Sequence, residues 1–333
     1  MWYNKTGPES DVVLSTRVRI ARNLAGYPFP GKMNVTQTDE IIGKVKEAFA
    51  LDGWECVDFE EASREERAAM LEKHLVSREF VMNEGARVLL KNESKSVYVM
   101  TPEEDHLRIQ SILPGFDVDG AMASAFEAEE AADKKLGFAY SERYGYITHC
   151  PTNLGTGLRI SVMLHLPAYT ESGAIRSLSH QLDRIGMTIR GMDGEGSRPA
   201  AALYQISNET TLGTSEEETR DKLVNIVEQI VKNERELRSK MSDAEKDNLS
   251  EKVRRDYGIL MYCGRLNTAE LVSMYSDMRY ASAMGLCDIS PEKLDEMLIR
   301  SLPNTVMTEN GGIKTPEERD KKRADTVRSI LQG

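Results

Sequence analysis

Arginine sits at alternate positions inside a strand pattern. In Leu14-Ser-Thr-Arg-Val-Arg-Ile20, period-2 geometry puts Ser15, Arg17 and Arg19 on one face and Leu14, Val18 and Ile20 behind. Strand interiors that face a core rarely hold a guanidinium, which makes this alternation unusual. His106-Leu-Arg-Ile-Gln110 repeats the arrangement with His106, Arg108 and Gln110, while Arg159 opens Arg-Ile-Ser-Val-Met163 and Arg190 closes Met-Thr-Ile-Arg190. A lone strand arginine is more often a solvated rim residue in a weak salt bridge. Several on one face form a cationic concavity. Arginine grips phosphate oxygens bidentately and keeps its charge at any accessible pH, so a polyphosphate is the natural ligand. Gly155-Thr-Gly157 and Gly311-Gly312-Ile-Lys314-Thr315 both lack Walker A spacing. Side chains, not a P-loop, must therefore hold the phosphates.

The strand pattern occupies only part of the chain. Val12–Ile20, Arg87–Lys91, Ser96–Met100, His106–Ile112, Tyr144–His149, Arg159–Leu166, Met187–Arg190 and Ala201–Ile206 read as strands. Helical patterns fall at Gln37–Phe49, Glu65–Val76, Gly120–Leu136 and Ala174–Ile185. Asn92-Glu-Ser-Lys95 reads as a hairpin turn, which makes its flanking strands antiparallel neighbours. Strands clustered with helices, without regular βαβ alternation, indicate an α+β fold with an antiparallel sheet flanked by helices. After residue 214 the pattern is helical throughout. Ser215-Glu-Glu-Glu218 is a capping box ahead of a stripe of Leu223, Val227, Ile230 and Val231. Asn267-Thr-Ala-Glu270 opens a stripe of Leu271, Met274, Tyr275 and Met278. Ser290-Pro291 and Thr315-Pro316-Glu-Glu318 start two further helices. The apolar face fades between Asn233 and Asn248, which divides the chain into 1–237 and an all-α 238–333.

The charge balance restricts partners. With 43 Lys+Arg against 54 Asp+Glu in 333 residues, the net charge of −11 argues against a nucleic-acid or anionic-membrane binder and favours a basic partner. Cys56, Cys150, Cys263 and Cys287 lie far apart, so neither a disulfide framework nor a zinc site is indicated. No apolar run reaches transmembrane length and no signal-peptide pattern opens the chain, which makes the cytoplasm the expected compartment.

Cys150-Pro-Thr-Asn-Leu-Gly-Thr-Gly-Leu-Arg159 resembles the signature of the phosphagen (ATP:guanido) kinase family. Ser15-Thr-Arg-Val-Arg19 resembles its phosphate-binding strand, and Glu103-Glu-Asp-His-Leu-Arg108 a further family segment, with Pro102 where the family usually has Asn. Arg190-Gly-Met-Asp-Gly-Glu195, with Ile206-Ser-Asn208 and Leu212-Gly213, resembles its flexible loop and closing strand. The resemblance implies ATP with Mg²⁺, held by Ser15, Thr16, Arg17, Val18 and Arg19, by Arg108, by Arg159, Ile160, Ser161, Val162 and Met163, and by Arg190, Gly191, Met192, Asp193, Gly194 and Glu195. His74 matches a nucleotide-contacting histidine more loosely, a helix-end histidine without ligand being its plain alternative. Glu104 and Glu195 match the carboxylates that hold a guanidinium substrate, with Glu195 as the main base, and Cys150 matches the thiolate beside them.

The chemistry suits those residue types. A guanidinium is a poor nucleophile because it stays protonated far above neutral pH. Two carboxylates on its N–H edges orient one nitrogen toward the γ-phosphorus, and one of them takes the proton. Nearby arginines are expected to lower the Cys150 thiol and hold a thiolate beside the guanidinium. Glu103 and Asp105 read as structural neighbours.

Family members acting on small guanidines carry a helical domain before the first phosphate-binding strand, whereas fourteen residues precede Ser15 here, and helices follow the last strand. This layout resembles the protein arginine kinases of that family, which implies transfer to arginine side chains of proteins, a homodimer, an activator protein, and marking for a Clp-type protease in a stress response. Arg319-Asp-Lys-Lys-Arg-Ala324 resembles that branch's allosteric phosphoarginine motif. On a helix, Arg319 and Arg323 are i,i+4 neighbours able to clamp a phosphoryl group, with Asp320 accepting from the modified guanidinium and Ala324 completing the motif. A solvated charged helix face is the plain alternative. Two other activities compete: a kinase for a free guanidine such as arginine, and a phosphoarginine-binding adaptor with weak catalysis.

Overall fold

Residues 1–50, 53–191, 201–313 and 315–333 are described by the structure, a computed structural model. The first half lays down β1 (Val13–Arg22), α1 (Val35–Ala48), β2 (Glu55–Asp58), α2 (Arg64–Glu72), α3 (Arg78–Met82), β3 (Val88–Asn92), β4 (Val97–Thr101), β5 (Leu107–Pro114) and α4 (Val118–Leu136). There follow β6 (Tyr140–Ser141), β7 (Gly145–Tyr146), β8 (Leu158–His165), α5 (Pro167–Glu171), α6 (Ile175–Asp183), β9 (Met187–Gly191) and β10 (Leu203–Asn208). The remainder is helical: α7 (Glu216–Ser239), α8 (Asp243–Tyr262), α9 (Thr268–Ala283), α10 (Pro291–Arg300), α11 (Pro303–Asn310) and α12 (Pro316–Gln332). Strands β6 and β7 form a small hairpin. The others make one antiparallel sheet in the order β2-β3-β4-β5-β1-β8-β10-β9.

Alternation along these strands sorts side chains to two faces. Val18, Ile20, Val99, Ile109, Ile160, Val162 and Ile206 are buried in one apolar cluster with residues of α1, α4 and α7. The opposite face is divided along its strands. At one end Leu14, Tyr98, Met100, Ile112, Met163 and Leu203 pack with Tyr275, Met278 and Leu298 of the C-terminal helices. At the other end the same strands carry Arg19, Arg108 and Arg159, with Arg19 paired across from Arg159 and Ala21 from Arg108. The C-terminal helices thus cover the apolar end of that face and leave the arginine end open. Residues on both sides of position 238 share this second core.

The helix starts follow from capping chemistry. Capping boxes form at Ser215/Glu218, Asn267/Glu270 and Thr315/Glu318, and Pro291 takes the first turn of α10. The hairpin turn forms as well, with Asn92 Oδ1 accepting from Lys95 N at 3.2 Å.

Several expectations need correction. Leu14 lies on the opposite face from Val18 and Ile20, because a β-bulge between Val13 and Ser15 shifts the alternation. Of Tyr144–His149 only Gly145–Tyr146 is strand; Ile147 N bonds Ala139 O and His149 N bonds the Asp105 carboxylate at 2.6 Å. The helix expected through Val76 stops at Glu72, His74 being left-handed at φ 59° before Ser77 caps α3. The short edge strand β2 was not anticipated, since Glu-Cys-Val-Asp carries too little pattern.

Two buried polar knots fasten the parts. Arg22, 1% exposed, donates Nε to Glu129 Oε1 at 2.6 Å and Nη1 to Thr156 O at 2.9 Å, with Cζ 3.3 Å from the Tyr146 ring centroid. A Cβ at Gly157 would come within 2.6 Å of Arg22 Nη1, so only glycine fits where the loop meets this guanidinium. Glu72, at the end of α2, accepts from Asn304 N, Thr305 N and Thr305 Oγ1 at 2.7–2.9 Å, which holds the N-terminus of α11. Replacing Arg22 with Ala strands the Glu129 carboxylate in the core. Urea unfolding should show a loss on the order of 3 kcal/mol, and a loss below about 1 kcal/mol would contradict this role.

Candidate active site

The open end of the sheet face floors a cavity of 660 Å³ whose walls include Arg17, Arg19, Arg108, Arg159 and Arg190. Register explains the convergence, because Arg17 sits across from Ser161, Arg19 from Arg159, and Arg190 from Gln205. Neutral groups steady two of the guanidiniums. Arg17 Nη2 donates to Gln205 Oε1 at 2.8 Å and its Nε to Ser161 Oγ at 3.4 Å. Arg159 Nη2 donates to Ser207 Oγ at 3.0 Å. The Nε atoms of Arg19 and Arg159 are buried with no hydrogen-bond partner among the described residues. Burial first, then the charges of Arg159 and Arg108, lower Arg17 to about 10. Burial and the same neighbourhood of cations push Arg19 well down, and burial followed by Arg190 and Arg108 lowers Arg159. Like charges, desolvated and short of donors' partners, suit a polyanion with several oxygens.

Carboxylates and a thiol form the other end. Arg108 Nη1 pairs with Glu103 Oε1 at 2.8 Å and its Nη2 with Glu104 Oε2 at 3.3 Å. Glu103 is buried and also accepts from Ser77 Oγ at 2.5 Å and Glu104 N at 2.8 Å, so it orients Arg108 and the backbone of Glu104. Glu104 itself faces the cleft beside Cys150. Burial raises its carboxyl above the ordinary range, opposed by Arg108 and reinforced by Asp105 and Glu103. Cys150 Sγ lies 3.0 Å from Thr152 Oγ1. Asp105 accepts from both Asn23 Nδ2 and His149 N at 2.6 Å, which pins the loop leading to Cys150. Such a site can hold a polyphosphate at one end and a cation with several N–H groups at the other.

Not every residue expected at the site presents its side chain there. Val18, Ile160 and Val162 lie in the core behind the sheet, and Met163 lies under the C-terminal helices. Thr16 Oγ1 donates to Gly115 O at 2.8 Å and accepts from Asp117 N, and Ser15 is buried. Val18, Ile160 and Val162 point away from the cleft as the strand period dictates, and Ser15 shares the Arg17 face but is buried at its covered end. The His74 imidazole feels the charge of Arg17, a cleft residue, and its carbonyl accepts from Gln110 Nε2 at 2.8 Å. Gly191 ends β9, whereas Met192, Asp193, Gly194 and Glu195 lie outside the described residues. Gln205, Ser207, Ser77 and Asn23 escaped the sequence reading. Period-2 spacing of Leu203, Gln205 and Ser207 on β10 was the available signal for two of them.

On α12 the geometry differs from a simple clamp. Arg323 is fully buried and donates to Ser301 O, Leu266 O and Asp320 Oδ1 at 2.5–2.8 Å. Arg319 Nε and Arg323 Nη2 are buried without a hydrogen-bond partner among the described residues, and Ala324 packs in the core. Asp320 is therefore engaged by Arg323, with Arg319 Nε at 3.6 Å.

Residues 38–237 match the family described as ATP:guanido phosphotransferase, C-terminal catalytic domain, and residues 246–333 match the protein-arginine kinase McsB C-terminal domain. A protein-arginine kinase of Brevibacillus brevis is 36% identical over 338 residues, covering 99% of this chain and 95% of that protein. One from Syntrophomonas wolfei is 38% identical over 340 residues, covering 99% and 95%. Among solved structures, the duplicated taurocyamine kinase of Schistosoma mansoni with bound transition-state-analogue components superposes with a TM-score of 0.62 at 27% identity, over 70% of this chain and 35% of that one. Lombricine kinase gives a TM-score of 0.62 at 24% identity, over 72% and 70%, and shows a shared fold.

Burial and the charge of Arg17 lower the His74 imidazole from 6.5 to about 4, and burial also lowers His106 and His165. The unfolded chain therefore takes up these protons first. Stability of the ligand-free protein should fall as pH drops from about 6.5 toward 4, and His74→Gln should flatten part of that fall. Denaturant midpoints independent of pH across that window would contradict the assignment.

Proposed function

Because the chain belongs to the ATP:guanido phosphotransferase family, in its protein-arginine kinase branch, we propose that this cleft moves the γ-phosphoryl group of ATP onto arginine side chains of proteins. The observation that carries the reading is the division of one cleft into arginines at one end and Glu104 with Cys150 at the other. The arginines receive the phosphate chain and stabilise charge on the transferring group. Glu104 accepts from the N–H edge of the incoming guanidinium and aims one nitrogen at the γ-phosphorus. As the N–P bond forms and the bond to ADP breaks, the displaced proton passes to a carboxylate. Glu195 is the base by family resemblance, with Glu104 as its positioning partner. Burial raises the Glu104 carboxyl above its ordinary range, which lets it hold a shared proton more readily than a solvated carboxylate. Mg²⁺ carried on the nucleotide phosphates would add charge neutralisation there.

The finer biology extends the same reading. Arg319, Asp320, Arg323 and Ala324 form an allosteric phosphoarginine site, supported by the Arg319 and Arg323 nitrogens that make no hydrogen bond among the described residues. The protein works as a cytoplasmic homodimer, is stimulated by an activator protein, and marks clients for a Clp-type protease under stress. Its catalytic part is 1–237 and its regulatory part 238–333.

Incubation with Mg-ATP and an Arg-rich protein should give acid-labile phosphoarginine, detected by mass spectrometry without acid steps. Glu104→Gln should lower kcat about 100-fold. Acid-stable label on Ser or Thr, or an unmodified target, would overturn the proposal.

A further inference from the structure

The cleft does not end at its carboxylate side. Gly31, Asn83 and Glu103 line both the cleft and a second depression of 400 Å³. One wall of that depression is the turn Pro30–Lys32 with Met33 and Val35, and the other is the segment from Asn83 to Arg87 that joins α3 to β3. Its surface is unusual for solvent-facing chain. Val35 is 76% exposed and Met82, beside Asn83, is 70% exposed. Glu84 on the depression and Glu79 at the cleft are both exposed, and neither forms an ion pair among the described residues. Arg87, the cation on this wall, is buried; its Nη1 donates to Gly85 O at 3.0 Å and its Cζ lies 5.9 Å from the Phe59 and Phe80 ring centroids. Arg87 still feels the charge of Glu84, but it is the Glu84 carboxylate that is exposed, beside Met33 and Val35.

We propose that this depression seats the polypeptide flanking the target arginine, with Glu84 and Glu79 selecting a Lys or Arg next to an apolar residue. This rests on the protein-arginine kinase reading above. A free guanidine would need no surface beyond Glu104 and Cys150, whereas a protein substrate must lay its backbone somewhere when its arginine enters. An extended chain advances about 3.3 Å per residue, so the positions adjoining the target arginine fall where the depression opens from the cleft. A cationic neighbour there meets the exposed carboxylates of Glu84 and Glu79, Arg87 being buried behind them, and an apolar neighbour covers Met33 and Val35.

Peptides of equal length with a single arginine flanked by Lys-Leu, Ser-Gly or Glu-Leu discriminate the outcomes, with phosphoarginine quantified under non-acidic conditions. The wild-type protein should favour Lys-Leu over Glu-Leu about tenfold in kcat/KM. Glu84→Gln should compress that ratio to about twofold, and Glu84→Lys should invert it. Glu84 is exposed, so both variants keep the fold. Equal turnover of all three peptides by the wild type, or an unchanged ratio in both variants, would overturn the subsite while leaving the kinase reading intact. Absence of phosphoarginine on every peptide and on an Arg-rich protein would overturn both.

Discussion

Crowded, desolvated guanidiniums on one sheet face, of which Arg17, Arg19 and Arg159 have no carboxylate partner among the described residues, are the constraint around which this molecule is arranged. Arg17 and Arg159 are steadied by Gln205, Ser161 and Ser207, which fix direction without cancelling charge. Arg19 is left with a buried Nε that makes no hydrogen bond among the described residues. An ordinary sheet face would have been paired off or covered, as Arg235 is paired with Asp11 and Arg279 with Asp295 elsewhere in the chain. Leaving these cations uncompensated costs stability, and the cost persists until a polyanion arrives. Every major feature of the fold either tolerates that cost or directs it.

The sheet does so by using each strand twice. On β1, β5 and β8 the same face is apolar at one end, where Leu14, Ile112 and Met163 meet the C-terminal helices, and cationic at the other. Rigid supports stand behind the open end. Arg22 locks the loop at Thr156 and Gly157 to Glu129 and Tyr146, Asp105 pins the approach to Cys150, and Glu103 sets Arg108. The helical layer reaches this frame through Glu72, two residues before the left-handed turn at His74 and close to Ser77, which bonds Glu103. Two ties lie near each other in the chain: Glu72 holds the start of α11, and five residues on Ser77 bonds Glu103 at the carboxylate end of the cleft.

Much of this was legible in the sequence because it depends on periodicity. Alternation brought Arg17, Arg19, Arg108, Arg159 and Arg190 to one face, and cap residues fixed the starts of α7, α9 and α12. What failed to show depends on events outside local pattern. The bulge that flips Leu14 costs one residue of register, and the loop from Ile147 to His149 is shaped by partners at Ala139 and Asp105. A motif read as a block also credited Val18, Ile160 and Val162 with contacts that strand geometry sends to the core. Arg323 looked like a solvent-facing clamp on its helix, but tertiary packing buries it against two carbonyls.

The claim that the cleft is held open at an energetic cost for a polyphosphate is tested most directly at Arg19. Thermal unfolding of Arg19→Met, measured with and without ATP, separates the two halves of the claim. Methionine keeps the bulk of the side chain and removes the buried charge. The ligand-free variant should melt higher than the parent, by about 2 °C or more, and ATP should no longer raise its midpoint. A variant that melts lower while still gaining stability from ATP would contradict the account.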